Sequence, residues 1–281
     1  MIMTSRDRSC GEYLATGFTD VDGRNDQGAY TRCLTMLDAL PYFQTYKHRS
    51  FDLLDLTPGL SVLEIGSGLG DDCFRMAERV EPSGHVLGVD ASIRMVEEAR
   101  GRTPAGACVE FRQADARALP FPADSFARCR ADRTLQHIED PEQAIGEMVR
   151  VLEPGGRLLV YDNDWGTFSV TGRNDETTRV IETLWEDSIT NRWIGRYLKQ
   201  YFLEAGLCEV QLEPSVSVMT DFALADRAYN LLQTVERAVA AGWLTPVIAE
   251  HWVQEALALS RAGAFLCNLT AYTVYGMKPV R

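Results

Sequence analysis

The stretch Val62-Leu63-Glu64-Ile65-Gly66-Ser67-Gly68-Leu69-Gly70-Asp71-Asp72 decides the fold. A short apolar run stops at a glycine-rich turn, and residues 73–80 then follow a helical period. Glycines permit the tight turn and let the backbone approach a ligand. The same rhythm continues downstream. Residues 86–89 read as a strand ending at Asp90, and 92–100 as a helix. Residues 109–113, 126–130 and 157–161 read as further strands, with a helix over 141–152 that stops at Pro154-Gly155-Gly156. Strands alternating with helices of about 10–15 residues imply crossover connections and a parallel sheet. Apolar runs without alternation suit strands covered on both faces. The expected fold class is α/β, with a doubly wound, mostly parallel seven-stranded sheet.

Upstream, residues 28–56 read as helical through Leu34, Leu37, Leu40, Phe43, Leu53 and Leu54, and Pro41 divides them into two helices. Residues 1–26 are polar and read as a mobile arm. Downstream of Asp164 the rhythm breaks. A long helix is expected over 175–192, a helical stretch over 193–202, a strand over 209–218, two helices within 222–262 and a last strand over 265–275. The chain thus divides into the arm (1–26), N-terminal helices over the ligand site (27–57), a binding core (58–165) and a remainder (166–281). The helical insertions 166–200 and 222–262 are expected to project from the sheet's end as a cap.

The turn also constrains the ligand. A dinucleotide fingerprint places its third glycine at position 71, which is Asp71 here, and Asp72 follows. Two carboxylates at a helix start repel a pyrophosphate, which argues against a nicotinamide oxidoreductase. No Gly-Lys-Ser/Thr follows, so this is no P-loop. A phosphate-free, partly cationic ligand fits, and S-adenosylmethionine is one. Asp90, twenty residues after Gly70, stands where an acid accepts ribose hydroxyls in such folds. It can also serve as a cap for the next helix. Asp115, after the third strand, is placed to accept the adenine amino group.

Five motifs in order extend this reading. They are Val-Leu-Glu-Ile-Gly-Ser-Gly-Leu-Gly from Val62, Gly-Val-Asp-Ala-Ser from Gly88 with Met95, Ala-Asp-Ala-Arg-Ala-Leu-Pro-Phe from Ala114, Leu-Gln-His-Ile-Glu-Asp-Pro from Leu135 and Leu-Glu-Pro-Gly-Gly-Arg-Leu from Leu152. Together they resemble the class I S-adenosylmethionine-dependent methyltransferases, in the manner of the menaquinone/ubiquinone-methyltransferase-like small-molecule group, over about residues 40–165. The resemblance implies a Rossmann-like methyltransferase fold. It implies that Glu64, Gly66, Ser67 and Gly68 flank the methionine part of the cofactor, that Asp90 and Ala91 hold the ribose beside Met95, and that Asp115 and Ala116 meet the adenine. It puts Arg130 near the methionine moiety and the helix bearing Tyr42, Tyr46 and Arg49 over the cofactor, with Tyr46 or Arg49 in reach of the carboxylate.

Methyl transfer draws much of its rate from positioning and needs a base only when the acceptor must lose a proton. His137, after the fourth strand, is the candidate base; its other reading is a residue that orients the helix near Pro141. Asp162 and Trp165 are expected at the acceptor pocket, with Trp193, Tyr197 and Tyr229 on the cap. Asp132, Asp162 and Asn163 are oxygen donors of the kind magnesium prefers, but adjacent acids in one loop rarely supply the geometry, and no metal is expected.

Composition narrows the partners. The 281 residues carry a net charge of −12, without a basic patch for nucleic acid. Seven cysteines, none in a C-x-x-C pair, give neither a disulfide framework nor a zinc site. No apolar leader or membrane-length segment stands out, so a cytoplasmic protein is expected, compatible with a homo-oligomer. The function expected is methyl transfer from S-adenosylmethionine to an oxygen or carbon of a small, partly apolar metabolite. The alternative is a protein of the same fold that catalyses a cyclisation or only binds.

Overall fold

In the computed structural model, residues 16, 18, 20–23 and 28–280 are described. The deciding stretch forms strand β1 (Ser61–Ile65) and helix α3 (Asp71–Val80), joined by a turn in which Gly66, Gly68 and Gly70 all have positive φ. Asp71 and Asp72 occupy the first turn of α3, where backbone N–H groups favour negative charge. Strand β2 (His85–Asp90) leads into α4 (Ile93–Arg102), whose N-cap Ser92 accepts from Met95 N. Strands β3 (Val109–Gln113) and β4 (Phe126–Asp132) follow, then α5 (Pro141–Val151), capped by Asp140 with Pro at its first turn.

The sheet has seven strands in the order β3-β2-β1-β4-β5-β7-β6. Neighbours from β3 to β5 are parallel, whereas β7 (Cys267–Met277) runs antiparallel between β5 (Leu152–Val170) and β6 (Cys208–Met219). Helices cover both faces. On one, α5 and α7 (Ile194–Glu204) bury Ile145, Met148, Ile194, Leu198 and Phe202 against Leu63, Cys129 and Leu158. On the other, α3, α4 and the end of α2 (Pro41–Leu53) bury Phe51, Met76, Val96 and Ala99 against Val62 and Val86. A third apolar cluster lies beyond the strand ends. It joins α1 (Gly28–Asp38) to Trp165, Phe168, α6 (Asp175–Asp187), α8 (Phe222–Tyr229), α9 (Leu231–Ala240) and α10 (Pro246–Arg261).

Four sequence expectations change. Strand β5 continues to Val170 instead of ending near Tyr161, because its far half pairs with β7 at Ser169↔Asn268 and Val170↔Cys267. The segment 222–262 holds three helices, since Asn230 adopts the left-handed conformation (φ 46°) and divides α8 from α9. Helix α7, read as part of the cap, is a crossover helix packed on the sheet. The mobile-arm reading of 1–26 falls mostly outside the described residues, but residues 20–23 do not behave as an arm. Val21 is buried, and Asp22 accepts from Ser92 Oγ (2.6 Å) and Ile93 N (3.0 Å) at the start of α4.

Candidate active site

The strand ends and the third cluster enclose one cavity of about 890 Å³. That is near the upper end of the roughly 300–1,000 Å³ typical of small-molecule sites, so a cofactor and an acceptor both have room. Its floor is polar, made by Gly66 and Gly68 after β1, Asp90, Ala91 and Met95 after β2, and Asp115 and Ala116 after β3. Its far half is lined by Phe43, Trp165, Trp185, Ile189, Tyr229 and Leu269.

The floor fits S-adenosylmethionine. Gly66 (φ 71°) packs its bare Cα against Thr134, which holds the turn close to the segment after β4. Asp90 accepts from Gly68 N and Ser92 N, each at 2.9 Å. A carboxylate has about four acceptor sites, so lone pairs remain for two ribose hydroxyls. Burial raises the Asp90 pKa, against the pull of those N–H groups. Replacing Asp90 by Ala is expected to weaken S-adenosylhomocysteine binding by about 1.5–3 kcal/mol, the range for hydrogen bonds to a charged group. Calorimetry showing parental affinity would remove the ribose role. Asp115 lines the cavity but also holds Arg117 through contacts of 3.0 and 2.8 Å.

Several residues expected at the cofactor lie behind the floor. Glu64 and Arg130 are register partners on β1 and β4, both buried and in contact as an ion pair. Arg130 also reaches Asp72 (3.1 Å) and Asp132 (2.9 Å), and its guanidinium lies over the Phe51 ring at 5.1 Å. Lys47 of α2 joins Asp72 at 2.7 Å, and Arg75 joins Asp38 at 2.6 Å. Despite burial, Lys47 and Arg130 hold the Asp72 carboxyl well below its usual range. The network ties the N-terminal helices to the turn, with Glu64 and Arg130 inside it. Ser67 is off the wall as well, its Oγ buried without a hydrogen-bond partner. Tyr46 is buried, stacked on Tyr161 at 3.8 Å and donating to Asp132 at 3.0 Å. Arg49 points away and pairs with Glu213 at the surface.

The acceptor half also differs in part from expectation. Trp165 and Tyr229 line it, and Trp185 stands 5.7 and 5.9 Å from their rings. Trp193 and Tyr197 lie on the outer surface near α7, 37% and 40% exposed, and do not reach the cavity. Asp162 is buried, accepting from Gln136 N and Asn163 N; burial pushes its pKa up to about 8. Asn163, next to it on β5, lines the cavity, as do Tyr161 and Trp165. His137 is in the wall, with Nε2 2.9 Å from the Gln136 side-chain amide and Nδ1 without a partner. Burial and the nearby Arg133 charge push its pKa down to about 3, so it is a neutral ring at physiological pH. Arg133, which the motif reading passed over, has its guanidinium over the Phe43 ring at 4.9 Å. Among the described residues no group of three or more His, Cys, Asp or Glu could hold a metal ion, and no helix is long and apolar enough to cross a membrane.

Comparison with known proteins agrees with this geometry. The methyltransferase-domain family model matches residues 56–206. An uncharacterised 37.1 kDa protein in transposon TN4556 of Streptomyces fradiae is 38% identical over 250 residues, spanning 89% of this chain and 70% of that protein. The ubiquinone/menaquinone biosynthesis C-methyltransferase UbiE of Hahella chejuensis is 39% identical over 120 residues, which is 42% of this chain and 48% of that enzyme. The chain therefore spans about half the length of that enzyme. In structure, the YcgJ protein of Bacillus subtilis has a similar fold, with a TM-score of 0.60 at 22% identity over 84% of this chain and 99% of that one. A family match across more than half of the chain, on the strand-turn-helix that builds the cavity floor, makes this protein a member of the class I S-adenosylmethionine-dependent methyltransferases.

Proposed function

We propose that this protein transfers a methyl group from S-adenosylmethionine to an oxygen or carbon of a small, partly apolar acceptor. The observation that carries the reading is the two-part cavity, whose polar floor is continuous with an aromatic wall on the same side of the sheet. When bound, the cofactor supplies an electrophilic methyl on a sulfonium. The chain's own residues position both partners and exclude water. Gly66, Gly68, Asp90 and Asp115 hold the cofactor. Trp165, Trp185 and Tyr229 grip apolar surface, and Asn163 and the neutral His137 face a polar group, braced by Gln136, whose Oε1 accepts from Asn163 Nδ2 and Trp165 Nε1. Incubating the protein with a metabolite extract and a cofactor carrying a deuterated methyl tests this. A new species heavier by the labelled methyl group is expected by mass spectrometry. Cofactor binding without any labelled product would leave the cyclisation or binding alternative.

The wall makes a paired prediction. Tyr229 is 6% exposed against the cavity, whereas Trp193 is outside it. Tyr229→Ala is expected to cut acceptor turnover about tenfold or more, since it removes an aromatic face against which the acceptor would bury apolar surface, worth about 1.5–3 kcal/mol when fully covered. Trp193→Ala is expected to leave turnover within about twofold, as surface substitutions usually do. Cofactor affinity measured by calorimetry should change in neither. Equal losses from both variants would count against this wall as the acceptor site.

A further inference from the structure

Two guanidinium groups line the cavity among the described residues, Arg117 and Arg133. Arg117 lies at the Asp115 end and is already held by that carboxylate. Arg133 lies in the other half, directly after β4. Its ordinary partners are few. Nε reaches Asp132 Oδ1 at 3.3 Å, and neither Nη makes a hydrogen bond to the described residues. Asp132 does not neutralise it alone, because the same carboxylate takes Arg130 at 2.9 Å, Tyr46 at 3.0 Å and Lys47 at 3.6 Å. The tyrosine hydroxyls nearby are engaged elsewhere: Tyr42 with Tyr161 (2.9 Å) and Ser215 (3.0 Å), Tyr46 with Asp132. Arg133 also holds a left-handed backbone (φ 53°), a conformation a non-glycine residue keeps only when its surroundings enforce it. A desolvated guanidinium with open Nη groups is a fork suited to an oxyanion.

We propose that the acceptor enters as an anion, a carboxylate or an acidic phenol or enol, and that its negative oxygen pairs with Arg133. This rests on the methyl-transfer reading above. It explains how the reaction proceeds beside a weakly basic His137, since an acceptor already ionised needs no base in the site. An electron pair of the anion, on its oxygen or delocalised onto a conjugated carbon, forms the new bond to the methyl carbon, and the electron pair of the breaking carbon–sulfur bond stays on sulfur. The sulfonium becomes a neutral thioether, the acceptor loses its negative charge, and no proton crosses the site in that step.

The test begins with the parent protein. A metabolite extract is split on an anion exchanger at neutral pH, and each fraction is incubated with protein and deuterated-methyl cofactor. Labelled product is expected from the retained, anionic fraction. Label arising only from the unretained fraction would overturn the proposal and leave methyl transfer standing, whereas no label in any fraction would defeat the methyl-transfer reading itself. Arg133→Gln is expected to lower turnover of the active fraction by about tenfold or more, the scale for losing a charge-assisted pair, and Arg133→Lys to recover part of it. S-adenosylhomocysteine affinity should stay within about threefold of the parent. A drop of about tenfold or more in that affinity, with 5′-methylthioadenosine binding unchanged, would assign Arg133 to the cofactor's carboxylate instead and overturn the proposal.

Discussion

Arg130→Met is expected to destabilise the protein by about 3–5 kcal/mol, the cost of removing one partner from a buried ion pair. Arg130 is fully buried and is the shared counter-charge of Glu64, Asp72 and Asp132. Burial already pushes the Glu64 carboxyl upward, with Arg130 the first force opposing it. Methionine fills much of the volume but leaves three acids facing one another in a dry interior. Urea unfolding at neutral pH measures the loss. Adding Glu64→Leu to the variant should restore part of it, because a buried ion pair can be replaced by apolar residues at little net cost. A loss below about 1 kcal/mol would mean that the network is solvated and behaves like a surface salt bridge.

Gly66→Ala should have the largest effect on the cofactor. A Cβ there would lie 2.2 Å from Thr134 Oγ1 and 2.6 Å from Thr134 Cγ2, at a φ of 71° that disfavours any L side chain. Thr134 cannot simply swing away, since its hydroxyl bonds Ile65 O and Asp132 O. The turn and the segment after β4 must therefore separate, which displaces the cavity floor. S-adenosylhomocysteine affinity is expected to fall by about 100-fold or more, about 2.7 kcal/mol. Gly101→Ala, exposed in α4 with nothing within 4 Å of the new Cβ, is the control and should bind as the parent does. Parental affinity in Gly66→Ala would show that the turn does not contact the cofactor.

The parts of the site legible in the sequence are those set by local chain order. Gly66, Gly68, Asp90 and Asp115 each follow a strand, and a parallel sheet delivers strand ends to one edge, so reading the strands in order was enough to bring these residues together. Glu64 stands in the first motif and Arg130 at the end of the fourth strand, yet their pairing follows from β1–β4 register, with Asp72 and Lys47 arriving from two helices. No local pattern encodes that meeting. Arg49, Trp193 and Tyr197 were read from helical spacing or aromatic content, which says where a face is but not what it faces. Arg133 carried a weak signal, a third arginine in Arg128-Cys129-Arg130-Ala131-Asp132-Arg133, masked because only its exit from the strand turns it into the cavity. The overshoot of β5 was hidden by Asp162, Asn163 and Asp164, polar residues that resemble a loop but are buried in the sheet.

That overshoot fixes one side of the cavity to the sheet. Strand β5 runs from the heart of the sheet to the foot of the cap without interruption of the chain, and β7 and β6 pair alongside it to Val170 and Met219. Trp165 and Leu269 are thereby carried on the strands of the core, whose pairing shifts register between Asp164 and Ser169, while Trp185 and Tyr229 come from α6 and α8. On the opposite side residues 20–23 are held to α4 through Asp22, and α1 is fastened by side-chain packing and by the pairs of Asp38 with Arg75 (2.6 Å) and Lys47 (3.5 Å). The strand-borne part of the wall acts as a fixed jamb.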